Sequence, residues 1–252
     1  MSLLKGLIDV TSFLTIIPIR RTTDERTLIN TANHMYFFPL LGTLIGFLAG
    51  SFAWFLLIFL PKLIVGVLTT GFILIFTGFN HTDGLLDFGD GLMVQGTPKE
   101  KIRVMKDSQV GTGGFILALI VILTSILCIS YIPKNLIIQG LVASEISAKL
   151  SMVILARIGK SACQGLNTYF IDAMHKHLWG VKISLALGIS TIIIVFLLGV
   201  IGLIILVSGI VTCFVLAGIC NRHFNGITGD VFGATNEISR MISLLTVLLV
   251  VK

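Results

Sequence analysis

Long apolar runs alternate with short polar segments along this chain, and the runs have the length of membrane-crossing helices. A helix needs about 20 mostly apolar residues to cross a bilayer. Tyr36 to Leu60 is the first clear run, Lys62 to Phe79 the second, Thr112 to Tyr131 the third and Asn135 to Ala156 the fourth. Ile183 to Cys220 is too long for one crossing and predicts two helices with a tight turn near Gly199 or Gly202. A last helix is expected from about Asn236 to Val251. Residues 3–19 are apolar but broken by Lys5, Asp9 and Pro18, which suits an amphipathic helix in the interface. The pattern predicts an all-α, polytopic integral membrane protein with six or seven transmembrane helices. No internal repeat, low-complexity stretch or linker divides it, so residues 1–252 are expected to form one domain.

The polar segments carry the chemistry. Asn80-His-Thr-Asp-Gly-Leu-Leu-Asp-Phe-Gly-Asp-Gly-Leu92 places Asp83, Asp87 and Asp90 at i, i+4 and i+7. On a helix that spacing stacks three carboxylates on one face, where they repel. Facing lipid, each would cost about 3 kcal/mol on an insertion scale, roughly 9 kcal/mol for three, which forbids that orientation. The face is therefore expected to line a polar cavity and to bind a divalent cation. Hard oxygen donors at this density suit Mg²⁺, with Mn²⁺ and Ca²⁺ as substitutes. Gly84, Gly89 and Gly91 each cost helix stability, about 1 kcal/mol relative to Ala, and predict close approach by a substrate or a neighbouring helix.

Two further segments fall at the same end of the predicted spans. Lys101 to Gly114 sets Arg103, Lys106, Asp107 and Ser108 before a Gly-rich turn at the start of a helix, an arrangement suited to phosphate oxygens. Asp107 is a candidate fourth carboxylate for the cation. Asn225 to Glu237 offers Thr228, Gly229, Asp230 and Glu237; a plain helix-capping turn, with Thr235 or Asn236 as cap, is the alternative and does not explain an Asp230 between small residues. His81 is a candidate general base, a neighbour of the metal ligands, or a polar cap. Glu145 is expected to pair with Lys149 four residues on. Asp172, His175 and His177 form a looser set, and the His-x-His spacing does not bring both rings to one helical face.

Composition sharpens this picture. Of 252 residues, 55% are hydrophobic and only 12% are charged, against about 25% in a soluble domain. Cys128, Cys163, Cys213 and Cys220 form no C-x-x-C pair and are expected to be free packing thiols. The N-terminus, interrupted by Lys5 and Asp9, is not expected to be a cleavable signal. Arg20, Arg21, Arg26, Lys99, Lys101, Arg103, Lys106, Arg157, Lys160, Lys176, Lys182, Arg222 and Arg240 all fall on one side if the spans alternate. Lys62, Lys134 and Lys252 remain for the other. The positive-inside rule makes the rich side cytoplasmic, with the N-terminus and the polar cavity. The net charge of +6 mostly reflects that bias and would draw in an anionic substrate. Expected partners are thus small anionic molecules and the lipid bilayer of the cell membrane, with no nucleic acid; a homo-oligomer stays open.

The three segments together resemble the cobalamin synthase family, the adenosylcobinamide-GDP ribazoletransferases. His81 to Leu92 is similar to that family's His-x-Asp-Gly-Leu-x-Asp-x-x-Asp-Gly-Leu motif. Met105-Lys-Asp-Ser108 with Gly111 is similar to its Met-Lys-Asp-Ser-x-x-Gly motif. Thr228-Gly-Asp230, Gly233-Ala234 and Glu237 are similar to its Thr-Gly-Asp-x-x-Gly-Ala-x-x-Glu motif. Phe13-Leu-Thr-Ile-Ile-Pro18 and Phe38-Pro-Leu-Leu-Gly42 extend the resemblance along nearly the whole chain. Thr82 stands where Leu is usual, and Gln109 where a basic residue is common.

The resemblance implies a Mg²⁺-dependent transfer. A ribose hydroxyl of α-ribazole, or of its 5′-phosphate, would attack the phosphorus bearing cobinamide in adenosylcobinamide-GDP. GMP would leave, giving adenosylcobalamin or its 5′-phosphate. Asp83, Asp87, Asp90 and Asp107 would hold metal, Arg103 and Lys106 would neutralise phosphate, and His81 or a free carboxylate would take the proton. Ser108, Gly111, Thr228 and Gly229 would contact substrate; Asp230 and Glu237 would orient α-ribazole or complete the metal shell. Two other classes compete. A CDP-alcohol phosphotransferase would need Ala-Arg soon after the first Asp-Gly, where this chain has Leu85-Leu86-Asp87. A transporter would need carboxylates at mid-membrane depth and two repeated halves.

Overall fold

The computed structural model describes residues 3–17, 24–176 and 178–250. Pro18, Arg20, Arg21, His177 and Lys252 lie outside the described residues. Twelve α-helices make up the described chain, and its only strand-like feature is an isolated bridge between Ser161 and Ile227.

At the centre stands α8 (Ile137–Ile158), which buries 18 of its 22 residues. Small side chains on it, among them Ala143, Ser147, Ala148 and Ser151, let neighbours come close. Against it lies α3 (Phe38–Leu56), whose Gly42, Gly46 and Gly50 recur every four residues. A Cβ at these positions would come within 2.6, 2.5 and 2.7 Å of the α8 backbone, so the two helices touch main chain to main chain. α10 (Trp179–Leu198) and α11 (Gly202–Phe224) also pack on α8, together with α12 (Gly229–Val250). α10 is peripheral: it buries only three residues, and Phe196 is 87% exposed, a surface made for lipid.

Among the described residues, four helices are long and apolar enough to cross a membrane: residues 35–56, α7 (Thr112–Tyr131), α10 and α11. α4 (Lys62–Phe76) and α5 (Asn80–Met93) would together make a fifth, but they are bent 95° apart. Gly78 and Phe79 make that corner, both left-handed at φ 66° and 58°. The sequence-based figure of six or seven also counts α8 and α12. These have the length, at 22 residues each, but their buried charges lower their hydropathy.

The expected break between 183 and 220 falls at residues 199–201. Three short helices flank the cleft end or the outside and were not expected: α2 (Glu25–Asn33), α6 (Pro98–Met105) and α9 (Leu166–His175). α1 (Leu3–Leu14) fills the N-terminal apolar stretch. The last helix begins at Gly229, seven residues before the expected start, because the Thr228 hydroxyl accepts from the Val231 N–H at 3.4 Å and caps it there.

Candidate active site

α5 lies across one end of the bundle. Its Gly84 meets the backbone of Asp230, at the first turn of α12, where a Cβ would be 2.7 Å from the carbonyl oxygen. Its Gly89 meets Gly114, at the first turn of α7, and its Gly91 meets Met105 and Phe224, at the ends of α6 and α11. The three glycines that cost α5 helix propensity are therefore its three points of close contact, as the sequence predicts. The closest approaches of α5 are thus to the ends of other helices, and it runs at 95° to α4.

This placement opens a cleft of about 580 Å³ lined by Asp83 and Asp87, by Lys106, Asp107 and Ser108, and by Thr228, Gly229 and Asp230. Three stretches far apart in sequence thus share one cavity. Asp83 is exposed and Asp87 half-buried. Partial burial, then the charges of Asp230, Asp83 and Asp90, push the Asp87 carboxyl up from its ordinary value to about 7. Asp83, Asp87, Asp107 and Asp230 outnumber Lys106, the one Lys or Arg among the described lining residues. Arg103 lies just outside, in a neighbouring recess of about 500 Å³ shared with Lys106, Asp107 and Ser108.

Four residues singled out from sequence stand elsewhere. Asp90 is buried and does not line the cleft: Oδ2 accepts the Gly111 N–H at 2.7 Å and Oδ1 the Gly114 N–H at 2.8 Å. It caps α7, satisfying donors that the first turn of a helix leaves free. Gly111 is accordingly half of that cap and not a lining residue. His81 is two residues before Asp83, about 200° around a helix, and so faces away from the cleft. It is buried against α12, its Nε2 has no hydrogen-bond partner among the described residues, and burial followed by Lys149 and Arg240 pushes its pKa well below the ordinary value.

Glu237 is the fourth. It is fully buried two turns inside α12, ion-paired with Arg240. Arg240 also reaches Glu145 at 3.3 Å, and Lys149 lies 3.5 Å from Glu145 and donates to Asn236 at 2.6 Å. The expected Glu145–Lys149 pair is present, but as half of a larger set. Two acids and two bases leave it neutral, which is how such charges are tolerated inside an apolar bundle.

Sequence reasoning missed one wall of the cleft: Cys163, Gln164, Gly165, Leu166 and Asn167, before and at the start of α9. No charge marks this segment, and its motif value is nil until Ser161 is seen paired with Ile227. The four cysteines are free; Cys128, Cys213 and Cys220 are buried, and Cys163 is half-buried at the cleft. The His175 ring bonds the Ile171 carbonyl of its own helix at 2.8 Å.

Among the described residues, no three acidic, His or Cys side chains close around an ion by themselves. Mg²⁺ does not need that, because it is commonly held by one or two carboxylates with substrate phosphates and water completing six oxygens. Asp83 and Asp87, with Asp107 on the neighbouring wall, fit such an open site, and the raised Asp87 carboxyl marks where positive charge is wanting.

Comparison with known proteins gives a consistent result. The cobalamin-5-phosphate synthase family model matches residues 6–248. An adenosylcobinamide-GDP ribazoletransferase of Methanococcoides burtonii is 36% identical, over 92% of this chain and 88% of its own length. Proteins of the same name from Methanocella arvoryzae and Picrophilus torridus are 33% and 32% identical. Those two alignments cover 96% and 98% of this chain, and 95% and 98% of the relatives. No solved structure gives a significant match.

Proposed function

Because the chain belongs to the cobalamin-5-phosphate synthase family, we propose that it is an adenosylcobinamide-GDP ribazoletransferase that works at the cytoplasmic face of the cell membrane. The acceptor is α-ribazole or its 5′-phosphate. The observation that carries this reading is the meeting of Asp83 and Asp87, Lys106 to Ser108, and Thr228 to Asp230 around one cleft. A diphosphate needs cations and donors on more than one side, and these three stretches supply them.

The bond-making step joins a ribose hydroxyl oxygen to the phosphorus that carries cobinamide. The bond from that phosphorus to the bridging oxygen breaks, and GMP departs with the oxygen. Asp83 and Asp87, with Asp107, would hold Mg²⁺, which when bound neutralises the diphosphate and the departing GMP. Lys106 places an ammonium beside the transferring phosphoryl oxygens, and Arg103, just outside, attracts the incoming anion. With His81 facing away, the hydroxyl proton falls to a carboxylate of the cleft. Asp230 suits that task, since it lines the cleft and the Thr228 hydroxyl donates to its Oδ2 at 3.2 Å, which holds the carboxylate in place.

The test is GMP release by purified protein given adenosylcobinamide-GDP, α-ribazole and Mg²⁺. Turnover is expected, with Asp87→Asn reducing it to background while the variant still inserts and purifies. No GMP from this pair, or turnover of a CDP-alcohol in its place, would overturn the reading; wild-type rates in Asp87→Asn would remove the ligand role.

A further inference from the structure

The wall of the cleft formed by residues 163–167 differs from the others in kind. From Ser161 to Asn167 the chain reads Ser-Ala-Cys-Gln-Gly-Leu-Asn, without one charge. It is also built firmly. The Ile227 N–H donates to the Lys160 carbonyl at 2.8 Å, and the Ala162 N–H to the Ile227 carbonyl at 3.0 Å. Asn167, 1% exposed, directs its amide nitrogen to three acceptors: Ser161 Oγ at 2.7 Å, Ile227 O at 2.9 Å and Cys163 O at 3.0 Å. Gly226, at φ 152°, lets the two loops touch; a Cβ there would be 2.5 Å from the Lys160 carbonyl. The loop that carries the neutral wall is thus latched to the loop that carries Thr228 to Asp230.

Two side chains on this wall have nothing to do inside the protein. Leu166 is 39% exposed at the cleft, and Gln164 is exposed with no hydrogen-bond partner among the described residues. An apolar side chain beside a free amide, which both donates and accepts, matches a flat heterocycle with ring nitrogens and exocyclic polar groups. The charged walls opposite suit phosphate and ribose. We propose that residues 163–167 form a nucleoside subsite, in which Leu166 packs on the heterocyclic base and Gln164 hydrogen-bonds its edge. This rests on the reaction proposed above and assigns a place to the uncharged end of one of its substrates. Guanine of the donor and the base of the acceptor share this chemistry.

Cys163 supplies the probe, since the other three cysteines are at most 2% exposed. The full chain in lipid nanodiscs would be treated with N-ethylmaleimide, and Cys163 alkylation timed alone and with GMP, with α-ribazole, or with pyrophosphate and Mg²⁺. Slowing by GMP is expected if the subsite takes the donor base, and slowing by α-ribazole if it takes the acceptor base. Pyrophosphate should protect far less. Gln164→Ala and Leu166→Ala should each raise KM for the protecting substrate about tenfold, with kcat much less affected. Protection by neither nucleoside, or equal protection by pyrophosphate, would overturn the subsite. Protection by a nucleoside in a protein that releases no GMP would keep the subsite and sink the proposed reaction.

Discussion

Asp87 is half-buried among the other carboxylates of the cleft. Its carboxyl is raised to about 7 without a cation present. Below that pH a proton occupies it, and Mg²⁺ must displace the proton to bind. Mg²⁺ affinity measured by calorimetry is therefore expected to be flat above about pH 7 and to fall toward tenfold per unit below it. Asp87→Asn should abolish that slope. The sign for stability runs the opposite way. The raised pKa favours the ion-free fold most below about 3.8, and that contribution is lost as pH rises through 7. Asp90 behaves differently although its spacing is equivalent. Asp90→Asn should cost about 1–3 kcal/mol in unfolding stability, since one α7 N–H loses its acceptor, and should leave Mg²⁺ affinity near wild type. Equal loss of Mg²⁺ affinity in both variants would return Asp90 to the ligand set. At this scale the sequence showed which residue types were chemical. Helical angles alone put His81 on the opposite face from Asp83, but they could not tell Asp90 from Asp87, because that difference is the α7 N-terminus lying beside only one of them.

The crossing of α5 over α12 decides whether the acidic residues meet. It depends on Gly84, whose absent side chain leaves room for the Asp230 carbonyl, and on Gly233, which sits against the His81 backbone. Gly84→Ala should force the helices apart by a fraction of an ångström to an ångström and separate Asp83 and Asp87 from Asp230. A loss of turnover of about a hundredfold is expected, in a protein that still inserts with a normal helical circular-dichroism spectrum. Unchanged turnover would show that the crossing has slack. Helices with strong apolar runs were legible: Thr112 to Tyr131 agrees at both ends, and the turn after Leu198 lies where glycines marked it. The shorter α6 and α9 were not, since eight and ten mixed residues carry too little periodicity. The start of α12 was misjudged because polar residues from Asp230 to Glu237 look like a loop until their buried partners are known.

Across the whole molecule, the ends of α5, α6, α8 and α11 and the starts of α7 and α12 gather at one pole, and Lys99, Lys101, Arg103, Lys106, Arg157, Lys160 and Arg222 lie in or beside those connections, whereas Arg240, expected with them, is buried in its ion pairs inside α12. The positive-inside rule predicts that this pole faces the cytoplasm. With Cys163→Ser as background, Glu100→Cys, exposed on α6, should react with a membrane-impermeant maleimide in inside-out vesicles and not in intact cells. Labelling in intact cells would invert the orientation.

The one-dimensional order of residues was enough to establish an α-helical membrane protein, the family, and the three polar stretches where chemistry had to occur. Those follow from local quantities: run length, period and the cost of charge in lipid. Which acids face the cleft, which one caps a helix, where Glu237 is neutralised, and the uncharged wall at 163–167 were set only by tertiary packing. Each depends on contacts between residues far apart in sequence, such as Gly111 with Asp90 or Asn167 with Ile227; even Glu237, whose partner Arg240 is three residues on, sits in a neutral set only because Glu145 and Lys149 pack beside that pair, and no local pattern encodes that.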